Sequence, residues 1–213
     1  MLINIHSHTS ETAEGILAIR SFCITQGPIA TSGTVSIGLH PWSSPTPLWY
    51  ESLLQAASQP QCLMIGECGL DKCHGAPMPI QIERFRLQIM ASEQLGKPLI
   101  IHAVHTLNEI IQLKKEFRPA QPWILHGFSG SPQMARQLLQ HDIIPSFGAV
   151  ILHQSKAQES LLAVGPGRFF LETDESPITI ATIYQTAARI LHTDPAAIES
   201  SISHLFATHI NYR

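Results

Sequence analysis

Eight short apolar runs, at 2–6, 19–24, 34–39, 62–66, 98–102, 122–126, 143–147 and 168–173, alternate along the chain with longer segments of helical period. Runs such as Pro98-Leu99-Ile100-Ile101-His102 and Pro122-Trp123-Ile124-Leu125-His126 are apolar almost throughout. A strand with one wet face would alternate polar and apolar residues, so this pattern predicts parallel strands covered on both sides. Eight such strands alternating with helices predict an α/β chain of the TIM-type (β/α) barrel class.

The helical segments carry their own signals. In 78–95, Ile82, Phe85 and Ile89 fall at i, i+3 and i+7, and near the end of the chain Ile198, Ile202, Leu205 and Phe206 form a second stripe. Ser131-Pro132 and Asp194-Pro195 each place a capping residue before a proline at the first helical position. The stretch from Gly27-Pro28 through Gly33 reads as a loop, so the barrel is expected to be compact, with its early helices shortened. No repeat, low-complexity tract or linker divides the chain, and one domain over 1–213 is expected.

Composition narrows the setting. With 44% hydrophobic and 14% charged residues, the chain buries a large core. The first residues lack the pattern of a secretory leader, and no apolar run approaches the roughly 18 to 20 residues of a membrane helix. Cys23, Cys62, Cys68 and Cys73 form no Cys-x-x-Cys pair. A cytoplasmic protein without membrane association or an obligate protein partner is the expectation. A net charge of -3 gives nucleic acid no overall basic field. Lys114-Lys115 reads as a solvated helix face.

The chemistry lies where the runs stop. The first ends in His6-Ser7-His8, the fourth runs into Gly66-Glu67, the fifth ends at His102, the sixth at His126 and the last at Glu172-Thr173-Asp174. In a parallel barrel such ends share the face where barrel enzymes place their sites. His6 and His8, two apart, point to the same side of a strand. Each residue alone has an ordinary role: a core histidine bonded to backbone, a carboxylate paired with lysine, a helix cap. Their recurrence at separate strand ends favours a metal site of His6, His8, Glu67, His102, His126 and Asp174, and imidazole with carboxylate is the donor set of Zn, Mn or Fe. His40, at the end of the third run, is a candidate substrate contact or acid, with a structural role equally open. Cys68 and Cys73, flanking the loop expected after Glu67, and Gly127, Gly130 and Gly148 read as structural.

Six segments, Asn4-Ile5-His6-Ser7-His8, Gly38-Leu39-His40-Pro41-Trp42, Ile65-Gly66-Glu67-Cys68-Gly69-Leu70-Asp71, Leu99-Ile100-Ile101-His102, His126-Gly127-Phe128-Ser129-Gly130-Ser131 and Leu171-Glu172-Thr173-Asp174, resemble, in this order, the TatD family of metal-dependent hydrolases. The resemblance spans nearly the whole chain. It implies an amidohydrolase-like barrel with two divalent ions (Zn, Mn or Mg). His6, His8, Glu67 and Asp174 would hold one ion, and Glu67, His102 and His126 the other. Family members include DNases, so it also implies hydrolysis of phosphodiester bonds, in DNA, another nucleic acid or a small phosphoester, by a metal-activated water. Asp174 and Glu67 would be the catalytic carboxylates, with Asp174 taking the water's proton.

The chain departs from the family pattern at Asn4, where an aspartate is usual, at Val104, where an arginine is usual, and at Glu175, inserted before Ser176-Pro177. The acidic balance suits a short or terminal substrate, as an exonuclease takes, better than a long duplex. Two other readings remain at this point: hydrolysis of a small amide, ester or lactone at the same metal pair, and a barrel that binds metal or a partner without turnover. The intact water base Asp174 argues against the last.

Overall fold

Every apolar run becomes a strand. In the computed structural model, which describes residues 1–9, 13–27, 33–210 and 212, the strands are β1 (Leu2–Ser7), β2 (Ile16–Cys23), β3 (Val35–Gly38), β4 (Cys62–Asp71), β5 (Leu99–Val104), β6 (Trp123–Leu125), β7 (Ile143–Phe147) and β8 (Phe170–Leu171). Their order in the sheet is their order in the chain. β2 pairs with β3, β3 with β4, β4 with β5 and β7 with β8, all in parallel. A parallel bridge between Ser7 and Asp174 sets the first strand beside the end of the last. Parallel strands in chain order with helices between them define the TIM-type (β/α) barrel class.

The helices are α1 (Trp49–Ala57), α2 (Met78–Leu95), α3 (Leu107–Phe117), α4 (Pro132–Gln140), α5 (Ser155–Val164), α6 (Ile180–Ile190) and α7 (Pro195–His209). Among the described residues, no helix joins β1 to β2, and only a short 3-10 turn, Ile24–Gln26, follows β2. Among the described residues these early connections therefore hold no full helix. Most of the loop expected over 27–33, its residues 28–32, lies outside the described residues. Among the described residues no helix is long and apolar enough to cross a membrane.

The chain divides into two compact units, Met1–Ile19 with Leu125–Arg213, and Arg20–Ile124. In the first, Ile3 and Ile5 of β1 are buried, and the Tyr184 hydroxyl of α6 accepts from the Ile3 amide at 3.1 Å and donates to the Ile3 carbonyl at 3.0 Å. α4 and α7 begin as expected: Ser131 Oγ accepts from the Met134 amide, Asp194 Oδ1 accepts from the Ala196 amide, and a proline follows each cap. Ile198, Ile202, Leu205 and Phe206 are the buried face of α7.

In the second unit, β4 runs five residues past the expected end, so Glu67 lies within a strand and not before a loop, and Cys68 is buried in it. The glycines explain why the apolar pattern breaks there while the strand continues. A Cβ on Gly66 would stand 2.3 Å from the Ile100 carbonyl oxygen, and one on Gly69 2.1 Å from that of His102. Both have positive φ, 135° and 136°, and the β4–β5 register shifts between Ile65 and Cys68. The close approach and the bulge both require glycine.

α2 holds this region with two buried glutamines. Gln88 Oε1 accepts from the Leu39 amide at 2.7 Å and its amide donates to the Leu39 carbonyl. Gln81 Oε1 accepts from the Asp71 amide at 2.7 Å, and its amide donates to the carbonyls of Asp71, His74 and Ala76. Placed seven residues apart, they share a helix face with buried Phe85 and anchor the ends of β3 and β4. Of the lysine pair, Lys115 is exposed, while Lys114 lies 5.0 Å from the Trp123 ring, a cation over an aromatic face.

Candidate metal centre

In the first unit, β1 presents buried His6, and His8 follows its end. His126 follows β6, and Glu172, Thr173 and Asp174 follow β8. The His6 and His8 rings lie 5.0 Å apart, and those of His6 and His126 4.3 Å apart. Asp174 Oδ1 is 3.6 Å from His6 Nε2 and 3.4 Å from His8 Nε2. Its backbone fixes that position: the Asp174 amide donates to the His6 carbonyl and the His8 amide to the Asp174 carbonyl. Asp174 itself has φ 53°, a left-handed conformation that turns the chain out of the strand.

Asn4 and Thr173 lock the two strands beneath. The Asn4 side-chain amide donates to Thr173 Oγ1 at 2.8 Å, and Asn4 Oδ1 accepts from the Thr173 amide at 3.0 Å. The Thr173 hydroxyl in turn donates to Ser7 Oγ at 3.2 Å; an aspartate could accept from the same hydroxyl only by drawing its proton away from Ser7, whereas the amide donates and leaves that bond in place.

Glu172 is fully buried, with Oε1 accepting from the Gly127 amide at 2.6 Å and lying 3.5 Å from His126 Nδ1. Burial raises its pKa, yet the His126 hydrogen bond, then the charges of His126 and His6, outweigh it and hold the carboxyl below its ordinary value.

The second unit carries Glu67 in β4, Asp71 at the end of β4, His102 in β5 and His40 just past β3. His102 faces a carboxylate at each nitrogen: Nδ1 is 2.8 Å from Glu67 Oε1 and Nε2 is 3.1 Å from Asp71 Oδ2. His40 Nδ1 accepts from the Trp42 amide at 3.2 Å, which leaves the proton of the neutral ring on Nε2, 3.2 Å from Glu67 Oε1. Asp71 also accepts from Trp42 Nε1 at 2.7 Å and from the amides of Cys73 and His74. Burial pushes the Asp71 carboxyl up, but the bonds from His102 and Trp42 and from those two amides bring it below the ordinary range.

His6, His126 and Asp174 can each offer one donor atom, all within 4.8 Å of one another, and so can His40, Glu67 and His102. These mixed nitrogen and carboxylate sets fit a borderline divalent ion such as Zn or Mn, and the carboxylates extend the range toward Mg. Of the six expected ligands, His6, His8, His126 and Asp174 are brought together in the first unit, and Glu67 and His102 in the second. His40, expected as a substrate contact or an acid, stands with Nε2 3.2 Å from Glu67 Oε1. Sequence reasoning assigned no role to Asp71, Glu172 or Trp42, although all three lie inside the motifs it singled out.

The family model described as "TatD related DNase" matches residues 27–206. The human 3'-5' RNA nuclease TATDN2 is 34% identical over 131 residues, 58% of this chain and 17% of that protein. The metal-dependent hydrolase YabD of Bacillus subtilis is 31% identical over 130 residues, 59% of this chain and 50% of that protein. The chain thus matches half or less of the length of these two relatives. Among solved structures, YJJV, a TatD homologue of Escherichia coli K12, superposes with a TM-score of 0.85 at 19% identity, covering 100% of this chain and 98% of that one. At that identity the likeness speaks for the fold.

Proposed function

The chain belongs to the TatD related DNase family, and from that premise we propose that it is a metal-dependent hydrolase that cleaves phosphodiester bonds at the end of a nucleic acid chain. The observation that carries this reading is the pair of donor sets, His6, His126 and Asp174 in one unit and His40, Glu67 and His102 in the other. We assign His6, His8, Glu67, His102, His126 and Asp174 as ligands of two divalent ions, Zn, Mn or Mg. Bound there, the ions would supply positive charge that polarises a phosphoryl oxygen and acidifies water.

The chain's own residues do the rest. Asp174, whose side chain is 41% exposed, meets solvent and is the base that accepts the proton of the attacking water and returns it to the leaving oxygen. His40 donates to Glu67 and fixes which carboxylate oxygen is turned away from it. Asp71 and Glu172 orient His102 and His126 by taking the far side of each ring. The name of one relative, an RNA nuclease, favours nucleic acid as substrate, and that of the other, a metal-dependent hydrolase, supports the ions. A reducing cytoplasm is the proposed setting and fits four unpaired thiols.

The test is an assay of the chelator-treated protein on single-stranded DNA, single-stranded RNA, a generic phosphodiester, and a panel of small esters and lactones, with Mn, Zn or Mg restored in turn. Metal-dependent cleavage of nucleic acid from an end is expected. Turnover of esters or lactones alone would replace the nuclease reading, and no turnover under any metal would leave a binding barrel.

A further inference from the structure

Trp42 is 53% exposed, although its indole is anchored by a 2.7 Å hydrogen bond from Nε1 to Asp71 Oδ2. A surface tryptophan alone needs no explanation. Here, however, the same Asp71 also fixes His74, whose amide donates to Oδ1 at 3.0 Å and whose side chain is 68% exposed. The Trp42 ring is 5.2 Å from that of His74, 4.7 Å from that of His40 and 5.6 Å from that of His102. Beside them runs a groove of ≈ 410 Å³ lined by residues 71–78 and Gln81, in which Lys72 brings a cation, paired with Glu109 at 2.6 Å.

The polar edge of the indole is thus occupied and held, while the residue as a whole stays half-exposed. It stands within ring contact of two imidazoles that carry the proposed chemistry. A rigid, half-exposed aromatic surface next to a phosphate-handling centre is what an unstacked nucleobase binds, and every base has a face to stack regardless of sequence. We propose that Trp42, with His74 at its side, forms a stacking subsite for the nucleobase next to the scissile phosphate. The inference rests on the nuclease reading and sharpens it, because a base inside a duplex cannot reach the shelf.

The test is calorimetric titration of thymidine 5'-monophosphate and of deoxyribose 5-phosphate into the metal-loaded wild type, Trp42→Phe and Trp42→Ala. The wild type should bind the nucleotide more tightly than the sugar phosphate by roughly 5- to 150-fold, the range that corresponds to one stacked base. Trp42→Ala should abolish that preference. Trp42→Phe should keep most of it, although it too lacks the N–H that reaches Asp71. Equal affinity for the two ligands in the wild type, or no binding of either, overturns the subsite. So does an equal loss of preference in the two variants, which would trace the effect to the Asp71 hydrogen bond. Cleavage of single-stranded DNA is measured in parallel and judges the other claim: base preference without cleavage removes the nuclease reading alone, and cleavage without base preference removes the subsite alone.

Discussion

The two clusters each seal one acid, Glu172 beside His126 and Asp71 beside His102, but differ in the carboxylate nearest the remaining histidines. Around His6 the imidazole is sealed and the proposed base is open, with His6 buried and Asp174 41% exposed. Around Glu67 the acids are sealed, with side-chain exposures of 7% for Glu67 and 0% for Asp71, and the rings of His40 and His102 stand nearer the surface. A buried carboxylate must be compensated by donors or cations, whereas an exposed one exchanges protons with water at little cost. On the proposed function the difference separates two tasks: the Glu67 cluster would chiefly hold positive charge, and Asp174, besides its place as a ligand, would move a proton.

The largest effects test that division directly. Asp174→Asn keeps the volume but cannot take the proton of water, so turnover should fall by ~10²- to 10⁴-fold. The melting temperature should move little, because the side chain is open to solvent. Glu67→Gln should instead deplete metal, and elemental analysis of the purified variant would show it. If Asp174→Asn loses as much metal as Glu67→Gln and no more turnover, the division does not exist.

The next effects compare the two carboxylates that back a histidine. Glu172→Gln and Asp71→Asn each remove the charge behind one ring, and losing such a partner typically weakens metal binding by ~10- to 100-fold. Asp71 accepts hydrogen bonds from Trp42, the Cys73 amide and the His74 amide as well as facing His102, whereas Glu172 has Gly127, His126 and the Ser146 hydroxyl. An asparagine at 71 must turn an NH₂ toward one of those donors, so its thermal stability should fall further than that of Glu172→Gln. Competition titration with a chromogenic chelator gives the affinities, and calorimetry the melting temperatures. A larger stability loss in Glu172→Gln would reverse the comparison. A smaller change is expected from Asn4→Ala, which breaks both bonds to Thr173 and should cost about 1 to 3 kcal/mol of stability on denaturant unfolding.

The sequence was most legible where one physical signal acts alone. Continuous apolar runs placed all eight strands, and the bounds of α2 and of β7 match their periodic segments. Ser131 and Asp194 cap helices because a capping oxygen before proline is a purely local device. Legibility failed where tertiary contact decides. The second half of β4 was hidden because Gly66, Gly69 and Glu67 interrupt the apolar pattern that the bulge tolerates. Gln81 and Gln88 sit on the buried face of α2, where helical periodicity expects hydrocarbon, because the ends of β3 and β4 needed backbone partners. The ligand candidates stood out as histidines and acids at strand ends. Asp71 and Glu172 did not, since an acid that serves a neighbouring ring has no spacing that announces it.

The smallest expected effect is on acid stability, and it measures the sealed acids on a common scale. Asp71 and Glu172 are both held below their ordinary values of 3.8 and 4.5. A carboxyl whose folded value is depressed contributes stability that is fully present above its unfolded value and is lost as pH falls through the folded one. Metal-free wild type should therefore lose melting temperature as pH drops below about 4.5, where the unfolded chain begins to bind protons that the folded chain refuses. Glu172→Gln should flatten the upper part of that slope and Asp71→Asn the lower part, because their ordinary values differ in that order. Melting curves of the three proteins between about pH 6 and pH 3 decide it. A wild-type slope that survives in both variants would place the acid sensitivity elsewhere, and Glu109, which the Lys72 hydrogen bond holds below its ordinary value, would then be the carboxylate to replace next.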